Sequence, residues 1–103
     1  MSDRQGKEIG SRDEFHRVLS ETLRSAKQLA AETPEFGPYI SIANQFAAIS
    51  KWTSGGGVPT RSERESLNLG IIAVRELEDN LEPAIQTFCY RIYAICDYLD
   101  RLD

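Results

Sequence analysis

Ser66-Leu67-Asn68-Leu69-Gly70-Ile71-Ile72-Ala73-Val74-Arg75-Glu76-Leu77-Glu78-Asp79 is the densest apolar run of the chain. Leu67, Gly70, Ile71, Val74 and Leu77 recur at i, i+3, i+4, i+7 and i+10, one face of a 3.6-residue repeat. Leu69, Ile72 and Ala73 take up much of the opposite side and leave Asn68 and Arg75 as the polar sector. A helix apolar round most of its circumference needs cover on more than one side. The run therefore reads as the central helix, with the others packed round it. Gly70 costs about 1 kcal/mol relative to alanine inside a helix; either it lets a neighbouring helix approach closely or it is simply tolerated.

Punctuation on both sides supports this reading. Thr60-Arg61-Ser62-Glu63 has the form of a capping box that opens the helix, and Asp79-Asn80 closes it. Pro83 then fits the first turn of a last helix. Its Ile85, Phe88, Ile92, Ile95, Leu99 and Leu102 step alternately by three and four, an a/d seam that Cys89 and Cys96 widen. Upstream, Thr53-Ser54-Gly55-Gly56-Gly57-Val58-Pro59 reads as a hinge or linker. It is no phosphate loop, because the Gly-Lys-Ser/Thr ending and a preceding strand are both missing.

Before that linker, Tyr39, Ile42, Ala43, Phe46, Ile49 and Ser50 keep helical spacing behind Pro38, with Trp52 at the edge of the core. Thr33–Pro38 separates this helix from a first one. The first opens on a capping box, Ser11 with Glu14, and buries Phe15, Val18, Leu19, Leu23, Ala26, Leu29 and Ala30. No period-2 alternation or hairpin turn signals a strand. The expectation is an all-α fold, a small four-helix antiparallel bundle with helices at about 11–32, 38–52, 60–79 and 82–102. Residues 1–10 form a flexible leader and residues 11–103 a single domain.

At 103 residues, 41% hydrophobic and 27% charged, the chain has the makeup of one modest folded core. No apolar stretch is long enough for a membrane span, and the N-terminus is no secretory signal, so cytoplasmic placement is expected. Cys89 and Cys96 lie two helical turns apart, about 10.5 Å, too far for a mutual disulfide. Reduced thiols agree with that compartment. His16 is the only histidine, which argues against zinc and leaves no nucleophile–base constellation. The expectation is a protein without metal, cofactor or catalytic activity.

The net charge is −4, and it is unevenly spread. Residues 62–103 carry nine acidic groups against four basic ones, which disfavours nucleic acid and suits a cationic protein partner or simply a solvated face. Glu76, Glu78, Asp79 and Glu82 cluster at the junction of the last two helices. If the Leu67–Leu77 face is inward, Glu65, Leu69, Ile72 and Glu76 line the other side, either covered by the first helix or forming an apolar patch rimmed by acid. Tyr90 and Asp97 stand on the reverse face of the last helix, and tyrosine is enriched at interfaces. Glu65, Leu69, Ile72, Glu76, Glu78, Asp79, Glu82, Tyr90 and Asp97 are thus the candidate partner-binding residues.

Leu69-Gly70-Ile71-Ile72-Ala73-Val74-Arg75-Glu76-Leu77, with Glu78-Asp79 behind it, resembles the L-G-x-I-A-V-[KR]-E-F-acidic run of a type VI secretion immunity protein family. The similarity takes in roughly residues 34–95, including the Tyr39–Trp52 helix and the aromatic at Tyr93; residues 1–30 share only an amphipathic helix. The resemblance implies a small helical protein that neutralises an NAD(P)+ glycohydrolase toxin by covering its active site. It implies a cognate effector toxin as partner. A homodimeric helical adaptor or regulator is the alternative, and a small enzyme is the least supported reading.

Overall fold

The structure, a computed structural model, describes residues 9–102. Among the described residues every regular element is helical. Three long helices frame the molecule: α1 (Arg12–Glu32), α2 (Gly37–Thr53) and, at the end, the helix Pro83–Asp100. Between them the chain builds two short helices, α3 (Arg61–Glu65) and α4 (Leu69–Ile72), the latter running into a π-turn over Ala73–Leu77. Pro83–Asp100 is α5. This is the expected small all-α bundle, with α1 packed most extensively on α2 and then on α5, while α4 and the π-turn lie against α5.

The long helices bury the stripes their spacing specifies. Phe15, Leu19 and Ala26 of α1 meet Ile42, Phe46 and Ile49 of α2 and Ile85, Phe88, Ile92, Ile95 and Leu99 of α5 in one core cluster. Phe46, Ile42 and Ile92 have no exposed surface at all. Two polar residues join them: Thr22 Oγ1 donates to Val18 O at 2.7 Å, and Thr53 Oγ1 donates to Ile49 O at 2.8 Å. Bonding back one helical turn satisfies each hydroxyl without a partner from outside the helix. Thr53 thereby takes the inward place expected of Ser50, which is exposed.

Aromatic rings stitch the long helices together. Phe15 stacks on Tyr98 at 4.9 Å, and Tyr39 meets Phe88 edge-on at 6.4 Å.

The helix starts follow the capping logic. Ser11 accepts from Glu14 N at 3.1 Å, but the Glu14 carboxylate reaches one residue past the cap and accepts from Gly10 N at 2.9 Å. At Thr60 the box closes in full, with Glu63 N donating to Thr60 Oγ1 and Thr60 N to Glu63 Oε1.

Three expectations change here. The leader expected over residues 1–10 lies mostly outside the described residues, yet Ile9 is 2% exposed and its carbonyl accepts from Arg101 Nη2 at 3.2 Å, so the chain is docked before α1 begins. The glycine run is no free hinge: Arg12 Nη2 donates to the carbonyls of Gly57 and Thr53, tying it to the start of α1. Gly55 and Gly56 there have φ of 66° and 85°, and a Cβ on Gly57 would lie 2.4 Å from Trp52 O.

The third change concerns the opening run. The helix expected over residues 60–79 is broken at Ser66–Asn68, and the face expected to point inward is split, with Leu77 buried and Leu67 partly so but Ile71 and Val74 outside. Leu69, Ala73 and Leu77 are buried with Ile72 partly so, whereas Ile71 is 58% and Val74 52% exposed. The cause is local. Ser66 Oγ donates to Glu63 O at 2.6 Å, which ends α3, and Asn68 adopts a non-helical φ of −133°. Gln45 on α2 then holds the break, accepting from Asn68 N at 2.9 Å and donating to Asn68 Oδ1 at 2.5 Å. The new start turns α4 onto Leu69, and the π-turn shifts the phase again, with Glu78 N donating to Ala73 O at 2.9 Å. Gly70 admits no close neighbour either, since a Cβ there would meet nothing within 4 Å.

Candidate functional site

The break and the π-turn decide what residues 69–82 show to solvent. Ile71 and Val74 stand one turn apart on the outer side, and Glu78 follows one turn after Val74. Beyond the turn Leu81 is 83% exposed, and Glu76, Asp79 and Glu82 are exposed as well. Exposed apolar and acidic side chains thus alternate along one strip of the chain. Arg75 is the only basic residue between Leu69 and Tyr90.

The strip is anchored to α5 at two points. Tyr93 donates its hydroxyl to Glu78 Oε2 at 3.2 Å, and Gln86 Nε2 donates to Asn80 O at 3.3 Å. Gln86, Tyr90, Tyr93 and Asp97 step along α5 by four, three and four, so this stripe runs beside the strip. Burial pushes the Tyr93 phenol well above its usual range, with neighbouring Cys89 and the Glu78 carboxylate adding to the effect. The Tyr93 proton therefore stays on to hold Glu78. Asn80 Oδ1 accepts from Glu82 N at 2.8 Å, which fixes the turn into α5 and places the Glu82 carboxylate at its N-terminus, where the helix dipole favours negative charge.

The nine candidates are distributed unevenly. Glu76, Glu78, Asp79 and Glu82 lie on the strip; Tyr90 and Asp97 lie on the adjoining stripe of α5, half-buried and exposed respectively. Asp97 is paired with Arg101 at 3.2 Å. Glu65 stands apart on α3, paired with Arg61 at 3.0 Å. Leu69 is 1% exposed and Ile72 is packed on the core, so neither forms the apolar patch; re-phasing of the helix puts Ile71, Val74 and Leu81 there instead. The apolar content of the run took in Ile71 and Val74, but a single continuous period assigned them to the core; Leu81, outside the run, was not singled out.

Other features offer less chemistry. Both cysteines are free thiols; burial raises Cys89, and burial with Asp100 pushes Cys96 up to about 11. A thiol so raised is a poor nucleophile at neutral pH. His16 packs edge-on against Phe15 at 5.4 Å. Among the described residues no three His, Cys, Asp or Glu side chains gather as a metal set. None of the described helices is long and apolar enough to cross a membrane.

The fold is that of a small all-α module. The model of the Tsi6 family matches residues 14–95, and the chain belongs to that family, one of type VI secretion immunity proteins. The match extends further upstream than the resemblance from residue 34 onward, taking in most of α1. Membership implies a cognate toxin as the binding partner. No curated protein and no solved structure matches the chain.

Proposed function

We propose that this protein acts in the cytoplasm as a stoichiometric inhibitor of an NAD(P)+ glycohydrolase toxin, binding over the active site without turnover. The observation that carries the toxin class is the Leu69–Leu77 run with its acidic tail, which resembles that of immunity proteins against such enzymes and lies within the family match. Membership in an immunity family supports a binding role rather than catalysis.

The test uses the effector domain encoded beside this gene. The two purified proteins are mixed, passed through a sizing column, and assayed for NAD+ consumption. Co-elution with loss of NAD+ cleavage at equimolar ratio is expected. Co-elution with a toxin that leaves NAD+ intact would keep the immunity role and replace the toxin chemistry. Absence of a complex at micromolar concentration would overturn the proposal in favour of a homodimeric adaptor, which a concentration-dependent mass would then reveal.

A further inference from the structure

Resting on the inhibitor reading, we infer that the toxin is gripped by the strip from Ile71 to Glu82, with Ile71, Val74 and Leu81 entering an apolar socket whose rim is cationic. Five large hydrophobic side chains are exposed among the described residues, and three of them fall within these twelve positions. Large apolar groups held in water beside charge have the anatomy of an interface centre and its rim. The acids on that rim are Glu76, Glu78, Asp79 and Glu82, against Arg75 alone.

Charge complementarity selects the occupant. A second copy of this chain, packed face to face on the strip, would set the acid rim against itself, because a two-fold contact places the same patch on both sides. Like charges so placed oppose association, whereas a cationic rim opposite them speeds encounter and fixes register. A cleft that holds a dinucleotide needs cationic or N–H groups for its two phosphates. Carboxylates at Glu78, Asp79 and Glu82 suit those groups once the substrate is displaced. A cleft of about 450 Å³ between α2 and the chain break, lined by Ile40, Asn44, Trp52 and Leu67 among others, holds no ionisable side chain. It gives no such selection.

The fixed backbone of the strip adds to its fitness. Gln45–Asn68 holds one end, and Tyr93–Glu78 and Gln86–Asn80 hold the other. Side chains presented from a braced turn lose less freedom on binding than those of a free loop.

The experiment compares the parent with I71N/V74N, with E78Q/D79N/E82Q, and with I40N/V58N as a control at the two remaining exposed apolar sites. Circular dichroism and urea midpoints establish that each variant is folded; I71N/V74N and the control are expected near the parent midpoint, and the acid variant slightly below it through loss of the Glu82 charge at the N-terminus of α5. Affinity for the purified toxin domain is measured by titration and surface association at low and high salt. I71N/V74N is expected to bind roughly a hundredfold more weakly, as loss of central anchors does. The acid variant is expected to lose about tenfold in association rate at low salt, with the difference shrinking at high salt. The control should bind like the parent.

Failure of the parent to bind the toxin overturns the inhibitor reading and this inference with it. A parent that binds while I71N/V74N binds equally well overturns the inference alone. So does a parent that is dimeric when free and becomes monomeric in I71N/V74N.

Discussion

Helices α1, α2 and α5 run for 21, 17 and 18 residues as continuous α-helices, whereas Arg61–Leu77 is divided into pieces of 5, 4 and 5. Ser50 apart, the long helices bury what their spacing says they bury. The divided segment buries one apolar side of its run and exposes the other, against the simple period. A constant pitch lets sequence assign faces; a change of pitch leaves only the inventory of apolar residues. The divided segment and the turn that follows it carry most of the candidate interface, which agrees with the frequent placement of π-turns at functional sites. In the proposed complex the long helices are the scaffold, and the broken segment with the turn after it is the surface.

The sharpest way to break this comparison is to exchange the two sides of the broken run. Leu69→Ala removes a side chain that is 1% exposed and should lower the unfolding free energy by about 2–5 kcal/mol. Ile71→Ala, at a site 58% exposed, should change it by less than about 0.5 kcal/mol. Urea titrations decide between them. The reverse order would restore the single unbroken helix.

A second contrast uses pH. Cys96 joins the scaffold helix to the broken segment, and its thiol is pushed from 9.0 up to about 11, by burial first and Asp100 second. A folded pKa above the unfolded one means that stability is fully present below pH 9 and lost as pH rises through 11. At about 1.4 kcal/mol per pKa unit, and allowing for its partial exposure, the loss should reach at most about 3 kcal/mol. Thermal melts between pH 8 and 11 should show the parent falling more steeply than Cys96→Ala. Parallel curves would remove Cys96 from the explanation.

The brace between the regions is tested by a double-mutant cycle on Gln45→Ala and Asn68→Ala. The two bonds between these amides should give a coupling of about 1 kcal/mol. Additive effects would mean that the break is held by α3 and α4 alone. The last effect is a gain. Gly70 borders a cleft of about 140 Å³ and a Cβ there meets nothing, so Gly70→Ala should stabilise the protein by about 0.5–1 kcal/mol. A loss in the urea midpoint would revive a close approach at that glycine.

What could be read beforehand follows the same division. The a/d seam from Ile85 to Leu99, the Phe15–Ala26 stripe and the Tyr39–Ile49 stripe needed only a fixed 3.6-residue period. Thr60–Glu63 could be read because a capping box is a local device. The break at Asn68 was not legible, because it depends on Gln45, twenty-three positions away in sequence. Arg12 bonding to Gly57, across forty-five positions, escaped for the same reason and made a braced loop look like a hinge. In the candidate surface, the acids at Glu76–Glu82 were legible as a charge cluster at a helix junction. Their apolar neighbours were misassigned, since Leu69 and Ile71 are equally apolar and only the broken geometry separates them.

Hydrogen–deuterium exchange on the protein, free and in complex with the toxin domain, tests most directly whether the broken segment is the binding surface. New protection should concentrate in residues 70–82 and in the adjoining Gln86–Asp97 stretch of α5, with the outer side of α1 unchanged. Protection confined to α1 and α2, with residues 70–82 exchanging as they do in the free protein, would contradict it.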